Sequence, residues 1–179
     1  MKLTEGFKGR EPELVALFTA TFTASEGPGE GRLIGGLVRD LLARTPPEDI
    51  RVVGAEEDGA LVGAAIFTRL TYPEDDRAVV LLSPLAVAPD RQRRGIGQAL
   101  LAHALDALRA EGIEIALTYG DPAYYGRAGF APVTEAQASA PRPLSLPQGW
   151  LGLSLTGGPM PALRGPSRCV PALQRPELW

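Results

Sequence analysis

Apolar positions along the 179 residues follow two rhythms. Leu14, Val15, Leu17, Phe18 and Phe22 within 11–23, and then Leu33, Ile34, Leu37, Val38, Leu41 and Leu42, recur at intervals of three and four. That spacing predicts two amphipathic helices. The segment Glu26-Gly27-Pro28-Gly29 ends the first, and Thr45-Pro46-Pro47 stops the second. Before them, Lys2 to Phe7 reads as a short edge strand. After them, Ile50 to Ala55, an acidic turn at Glu56-Glu57-Asp58-Gly59, and Ala60 to Tyr72 read as a hairpin. Gly63-Ala64-Ala65-Ile66 within it is small and apolar, which suits close packing of a helix.

The pattern then becomes almost continuously apolar. Ala78 to Val87 carries Val79, Val80, Leu81, Leu82, Leu85 and Val87, as expected for a strand covered on both faces. Pro84 interrupts it, and a residue without an N–H belongs at a bulge or an edge. A helix follows, with Ile96, Leu100, Ala104 and Leu108 along one row, ending near Glu111-Gly112. Ile113 to Thr118 is a further short strand, and Tyr119-Gly120-Asp121-Pro122 turns into a short helix at Tyr124-Tyr125. Strand, helix, strand implies a right-handed crossover, so the two strands should be parallel neighbours or nearly so. Phe130 to Val133 and Trp150 to Leu155 are the last predicted strands, with a proline-rich loop from Pro141 to Gly149 between them. From Gly157 onward, Pro159, Pro161, Pro166, Pro171 and Pro176 argue against regular structure. Residues 1–179 are read as one domain, with 157–179 an arm packed on the core or trailing from it.

Composition narrows the functional classes. A 45% hydrophobic content fits a folded globular chain, and a net charge of −3 gives no reason to expect a nucleic-acid partner. No apolar run approaches a membrane span, and the first residues lack a signal-peptide core, so a cytoplasmic protein without membrane contact is expected. The single cysteine, Cys169, has no disulfide partner and no metal-ligand spacing around it, and no metal is expected. Cys169 and the single histidine, His103, are read as structural.

The candidate chemistry sits between the central strand and its helix. Pro89-Asp90-Arg91-Gln92-Arg93-Arg94-Gly95-Ile96-Gly97 opens that helix. The first helical turn has N–H groups without carbonyl partners and the positive end of the macrodipole, so anions bind there. Gly95 and Gly97 let a pyrophosphate come close to the main chain, while Arg91, Arg93 and Arg94 add full charges. The loop is neither a dinucleotide fingerprint, which needs Gly-x-Gly-x-x-Gly, nor a Walker loop, which ends in Lys and Ser or Thr.

The string Val87-Ala88-Pro89-Asp90-Arg91-Gln92-Arg93-Arg94-Gly95-Ile96-Gly97-Gln98-Ala99-Leu100-Leu101 closely resembles the acetyl-CoA motif of the GNAT N-acyltransferase superfamily, which reads Gln or Arg, two residues, Gly, one residue, Gly or Ala. Gln92, Gly95 and Gly97 match in register. Asp121-Pro122-Ala123-Tyr124-Tyr125-Gly126-Arg127-Ala128-Gly129-Phe130 is similar to the family's Tyr-x-x-x-Gly-Phe segment, in a bacterial subgroup with Asp-Pro-Ala-Tyr-Tyr.

The resemblance implies an α/β fold of mixed α+β type, with a central sheet of about six or seven strands flanked by helices. It implies transfer of an acetyl group from acetyl-CoA to a primary amine of a small molecule or a protein. The pantetheine arm would run along Leu85, Ala86 and Val87 like an added strand. Gln92, Arg93, Arg94, Gly95, Ile96 and Gly97 would hold the pyrophosphate, with Gln98 next on the first turn. Tyr125 stands where the family places a tyrosine facing the thioester sulfur, and is the expected general acid. Tyr124 is a packing residue or a CoA contact. Asp121 stands nearest to a family asparagine that holds the pantetheine, at a shorter spacing. No acid occurs from Ala78 to Val87, and Glu74, Asp75 and Asp76 read as a solvated turn, so a water chain or an acceptor amine already partly neutral would have to serve in place of a base. A homodimer through the last strands is one further expectation. Two readings compete with the enzyme: an acyl-CoA-binding sensor or partner-binding module without turnover, and a nucleotide-binding α/β protein of another kind.

Overall fold

Seven strands and four α-helices follow one another along residues 1–179 of the computed structural model: β1 (Lys2–Glu5), α1 (Glu11–Glu26), α2 (Pro28–Arg44), β2 (Ile50–Glu57), β3 (Ala60–Arg69), β4 (Val79–Val87), α3 (Ile96–Ala110), β5 (Ile115–Tyr119), α4 (Pro122–Tyr125), β6 (Ala131–Pro132) and β7 (Trp150–Ser154). The strands form one mixed sheet in the order β1-β2-β3-β4-β5-β7-β6. The chain packs as two compact units: Met1–Phe67 with Pro84–Ala104, and Thr68–Ser83 with Leu105–Trp179.

In the first unit the two predicted helices are present, but the break between them is a single residue. Gly27, at φ 97°, gives its N–H to the Thr23 carbonyl to end α1, and Pro28 starts α2 at a position where a missing N–H costs nothing. Leu14, Leu17, Phe18 and Thr21 of α1 and Ile34, Leu37, Val38, Leu41 and Leu42 of α2 are buried. Gly31 and Gly35 lie against Thr23 and Thr19, with no room for a Cβ at either glycine, so the two helices touch through their smallest residues. The β2–β3 hairpin closes on Asp58 and Gly59, at φ 51° and 79°, the pair of left-handed residues that matches strand twist in a two-residue turn. A Cβ at Gly63 would lie 3.0 Å from Leu100 and 3.1 Å from Ile96, so this glycine sets how closely α3 lies on β3.

In the second unit, β4 pairs with β5 in parallel from Val79↔Ile115 to Leu82↔Thr118, as the crossover rule requires. β5 pairs antiparallel with β7, and β7 with β6, so the last strand in sequence lies inside the sheet. That placement buries Trp150, Leu151 and Gly152 in succession, because both faces of β7 are covered. β6 shrinks to Ala131–Pro132, since Phe130 is taken into the core and Pro132 has no N–H to give, and beyond it only the Val133 N–H reaches β7, at the Trp150 carbonyl, 3.0 Å away.

The proline-rich segment after Gly157 contains no helix longer than a single 3-10 turn and no strand, yet Leu163, Cys169, Val170, Ala172, Leu173 and Trp179 are buried. Thr71 and Arg168 exchange backbone hydrogen bonds at 3.0 and 2.8 Å. Asp75 is the polar anchor of this packing. Its carboxylate, only 2% exposed, accepts from the Arg164 N–H at 3.0 Å, from the Arg77 N–H at 3.1 Å and from the Arg77 guanidinium at 2.9 Å. The turn at 74–76 is therefore not uniformly solvated as the sequence suggests: Glu74 and Asp76 are exposed and Asp75 is buried. Burial opposes the charge on Asp75, but the backbone hydrogen bonds from Arg164 and Arg77, with both guanidinium charges, outweigh it and hold the carboxyl below its ordinary value.

A carboxyl whose folded value lies below its unfolded one of about 3.9 stabilises fully above that pH and loses its contribution as pH falls through the folded value. Asp75→Asn should lower stability by about 2 kcal/mol at pH 7 in urea titrations. It should also flatten the loss of stability that the parent protein shows as pH falls below about 4.

Candidate active site

The site residues of the first unit depend on a slip in β4. Leu82 turns its carbonyl to β5, accepting from the Thr118 hydroxyl at 2.9 Å, whereas Ala88, just past the strand, gives its N–H to Val62 of β3 at 2.8 Å. Residues an even number of positions apart in a regular strand face the same neighbour. These two face opposite neighbours, so the strand shifts by one residue between them, in the stretch that holds Pro84. Past the slip, Leu85 and Val87 direct their backbone groups to the edge away from β3. Leu85 is half-buried, and Ala86 and Val87 are buried. The Val87 carbonyl accepts from the Gln92 side chain at 3.0 Å and from Thr21 of α1 at 3.3 Å.

Gln92 thus closes the loop onto the strand it leaves. The loop itself, Gln92 to Gly95, is exposed. Arg93 has φ 61° and Gly95 φ 81°. A side-chain-bearing residue in that region costs about 1–2 kcal/mol, and left-handed residues alternating with others curl successive N–H groups into a concave, anion-binding nest. Nothing lies within 4 Å of where a Gly95 Cβ would be, so the position is open to a ligand. The first bond of α3 runs from Ala99 N–H to Gly95 carbonyl at 2.9 Å, which puts the Ile96 and Gly97 amides on the first turn, where the helix itself offers no carbonyl. Ile96 and Gly97 are buried and Gln98 half-buried. Arg91 is drawn 3.7 Å from Glu57 and Asp90, while Arg93 and Arg94 are exposed.

Asp121, Tyr124 and Tyr125 belong to the second unit. Asp121 is exposed, and its carboxylate accepts from the Ala123 N–H at 2.9 Å as the cap of α4. Tyr125 packs edge-on against Phe130 at 5.9 Å and Tyr124 at 5.1 Å, and the Arg127 guanidinium lies 5.4 Å over the Tyr124 ring. Gly129, at φ 96°, turns the chain so that Phe130 enters the core beneath Tyr125 and gives its N–H to the Tyr125 carbonyl at 3.3 Å. Burial pushes the Tyr125 hydroxyl well above the ordinary phenol value, with the neighbouring Tyr124 adding to the shift and a hydrogen bond with Thr118 opposing it. Burial also raises Tyr124, against the pull of Arg127. Both phenols are therefore protonated at neutral pH.

Four residues that support these groups escaped the sequence reading. Thr21 and Thr118 hold the two carbonyls that bracket the slip, at Val87 and Leu82. Gly120 donates its N–H to the carbonyl of Gly149 at 2.9 Å, and a Cβ on Gly120 would lie 2.6 Å from the Tyr125 ring. Gly120 reads in sequence only as part of a turn, because the ring it accommodates comes from the next element. His103 lies beside Glu5, at 3.4 Å, and Cys169 is free and buried, its thiol pushed up by burial. No group of three or more His, Cys, Asp or Glu is arranged to hold a metal ion, and no helix is long and apolar enough to cross a membrane.

A profile of the acetyltransferase (GNAT) family matches residues 12–130, two thirds of the chain. The chain belongs to the GNAT acetyltransferase family. Among curated relatives of this GNAT protein is the Escherichia coli K12 uncharacterized N-acetyltransferase YjhQ, 33% identical over 147 residues, which are 79% of this chain and 78% of the relative. The crystal structure of E. coli YhbS, a GNAT family N-acetyltransferase in complex with CoA, superposes with a TM-score of 0.82 at 22% identity, covering 97% of this chain and 92% of that one. A GNAT family acetyltransferase from Brucella melitensis in complex with acetyl-CoA superposes with a TM-score of 0.70 at 25% identity, over 97% of each chain. The GNAT fold expected from the two sequence motifs is thus the fold observed, at the upper end of the expected strand number.

Gly120→Ala forces the Tyr125 ring to move. If that ring takes part in the reaction, steady-state assays of CoA release should show kcat reduced about tenfold or more, with CoA affinity unchanged in a direct binding titration.

Proposed function

We propose that this GNAT protein transfers the acetyl group of acetyl-CoA to a primary amine by direct attack on the thioester. The observation that carries this reading is the exposed loop from Gln92 to Gly95, with Arg93 and Gly95 in left-handed conformations at the mouth of α3, in a chain of the GNAT family. In this reading the amides from Arg93 to Gln98 receive the CoA pyrophosphate, the exposed Arg93 and Arg94 neutralise it, and the backbone of Leu85, with Ala86 and the Val87 N–H, aligns the pantetheine. Gln92 contributes by holding the loop shut on Val87. Asp121 and Tyr124 serve the cosubstrate through α4, Asp121 as its cap and Tyr124 as a ring beside Tyr125.

The chemistry then needs two proton movements. The neutral amine attacks the thioester carbonyl, forming the C–N bond and a tetrahedral intermediate; the C–S bond breaks as the intermediate collapses, and the nitrogen releases its proton to water. Tyr125 gives its phenolic proton to the departing thiolate and recovers one from solvent. A phenol with a raised pKa is a weak acid towards a thiol of pKa about 8.5 in water. The burial that raises Tyr125 also destabilises a thiolate beside it, so proton transfer removes a charge the site disfavours. β4 supplies no carboxylate, and Asp75 is committed to Arg77 and Arg164, so deprotonation falls to water or to an amine of low pKa such as an α-amino group, at about 7.7–8.0.

The missing carboxylate is also what favours the rival reading, a CoA-binding module without turnover. A bacterial-type, cytoplasmic enzyme fits the supply of acetyl-CoA and the E. coli relatives, and the exposed edge strand β6 offers a margin at which two copies would pair.

Tyr125→Phe should lower kcat by about 10²-fold or more while leaving CoA binding intact; the lack of any turnover in the parent protein across a panel of amines would favour the binding module. Because the phenol is raised, kcat should not fall on the alkaline side from Tyr125 ionisation until pH exceeds the ordinary phenol value of about 10. Arg93→Ala with Arg94→Ala should weaken CoA binding about tenfold or more at low salt, with the difference shrinking as ionic strength rises. Competition by CoA, and not by ATP or NAD, should mark the site in the parent.

A further inference from the structure

The far end of the proline-rich arm reaches the groups that hold Tyr125. Trp179 is 7% exposed, and its indole N–H donates to the Leu173 carbonyl at 2.8 Å, so the ring is fixed in one orientation. It stacks on the Tyr119 ring, centroids 5.9 Å apart and planes at 14°, and meets Trp150 edge-on at 6.1 Å. Tyr119 and Trp150 are register partners of β5 and β7, so Trp179 covers the end of that pairing. The Tyr119 hydroxyl accepts from the Leu146 N–H at 2.7 Å and lies 3.1 Å from the Ser145 hydroxyl, which ties down the loop before β7. That loop ends at Gly149, whose carbonyl binds the Gly120 N–H and whose own Cβ, were it present, would meet the Gly120 carbonyl at 3.1 Å and the Tyr119 ring at 3.3 Å. Gly120 in turn lies against the Tyr125 ring with no room for a Cβ.

We propose that Trp179 is a positioning residue for Tyr125, acting by clamping Tyr119 and, through it, the Gly120–Gly149 backbone pair against which the Tyr125 ring rests. The inference rests on the general-acid reading of Tyr125. Each contact in the series is a packed ring or a backbone hydrogen bond inside one compact unit, so releasing the Tyr119 ring frees the loop at 145–149 and the wall of Gly120 together. The arm thereby has a role in acetyl transfer, although its residues touch neither the phosphate loop nor Tyr125 in this series.

The test is a double-mutant cycle on the full chain. Trp179→Ala and Trp179→Phe are measured in the parent and in Tyr125→Phe, after circular dichroism and thermal melting confirm folding. In the parent, Trp179→Ala should lower kcat about tenfold with CoA affinity unchanged, and Trp179→Phe, which restores a stacking ring, should recover most of the rate. In Tyr125→Phe, Trp179→Ala should change kcat by less than about twofold, because the hydroxyl it positions is absent. Equal losses in both backgrounds, or a parental kcat in a folded Trp179→Ala, would overturn the positioning role. A Tyr125→Phe variant with parental kcat would instead remove the general-acid reading. If Trp179→Ala fails to fold, Trp179→Leu and Trp179→Phe carry the same cycle, with ring stacking as the quantity varied.

Discussion

A β-strand has one set of hydrogen-bonding groups for each neighbour, and β4 changes which set faces which neighbour part-way along. Leu82 still serves β5 through Thr118, while Ala88 serves β3 through Val62, and Pro84 lies between them without an N–H. Backbone polar groups must find partners once they leave water, so a shift of this kind is tolerated only where other donors step in. Thr118 and Thr21 do so, one on each side of the slip, and Gln92 adds a third contact at Val87. The loop that follows β4 carries left-handed conformations at Arg93 and Gly95 and opens α3, whose Ile96 and Gly97 amides have no carbonyl to meet within the helix. Strand, loop and helix end thus lie in succession, and two exposed arginines add charge at the loop.

The second unit follows a different physical logic, in which rings and buried polar groups fix position. Tyr125 is held between Phe130, Tyr124 and the bare backbone of Gly120. A phenol shielded from water keeps its proton because the phenolate would lose the solvation it needs. The chain beyond β7 contributes by packing without regular structure. Asp75, buried with its charge, draws the Arg164 N–H and the Arg77 guanidinium to one point, and Trp179 stacks on Tyr119. An arm with so few backbone ladders is held by side chains at particular positions, and loss of one such side chain is felt over the whole segment.

Much of the candidate site was legible in the sequence because its chemistry is local. An exposed loop at the mouth of a helix needs contiguous residues with small or left-handed positions, and Gln92, Gly95 and Gly97 stand there in order. The Tyr125 to Phe130 spacing is legible for the same reason, since Gly129 supplies a positive φ that only glycine adopts freely. Thr21, Thr118, Gly120 and Gly149 were not legible. Each acts on a partner from another element, and a threonine on an apolar helix face or a glycine in a turn has many ordinary explanations. Asp75 was misread for a related reason: acidic residues in a turn are usually solvated, and only the arrival of the Arg164 N–H from far along the chain makes burial of this one tolerable.

By itself the sequence determined the elements and their kinds: the two amphipathic helices, the hairpin, the buried central strand, the crossover to a parallel neighbour and the glycine-bearing loop. Periodicity, turn chemistry and helix-end electrostatics act within a few residues, and so they are written in local order. The tertiary structure alone decided that β7 lies between β5 and β6, that β4 shifts its phase between Leu82 and Ala88, and that Trp179 packs on Tyr119. Those outcomes depend on which distant segments satisfy one another's backbone groups and fill one another's gaps, a choice made by the packed chain as a whole.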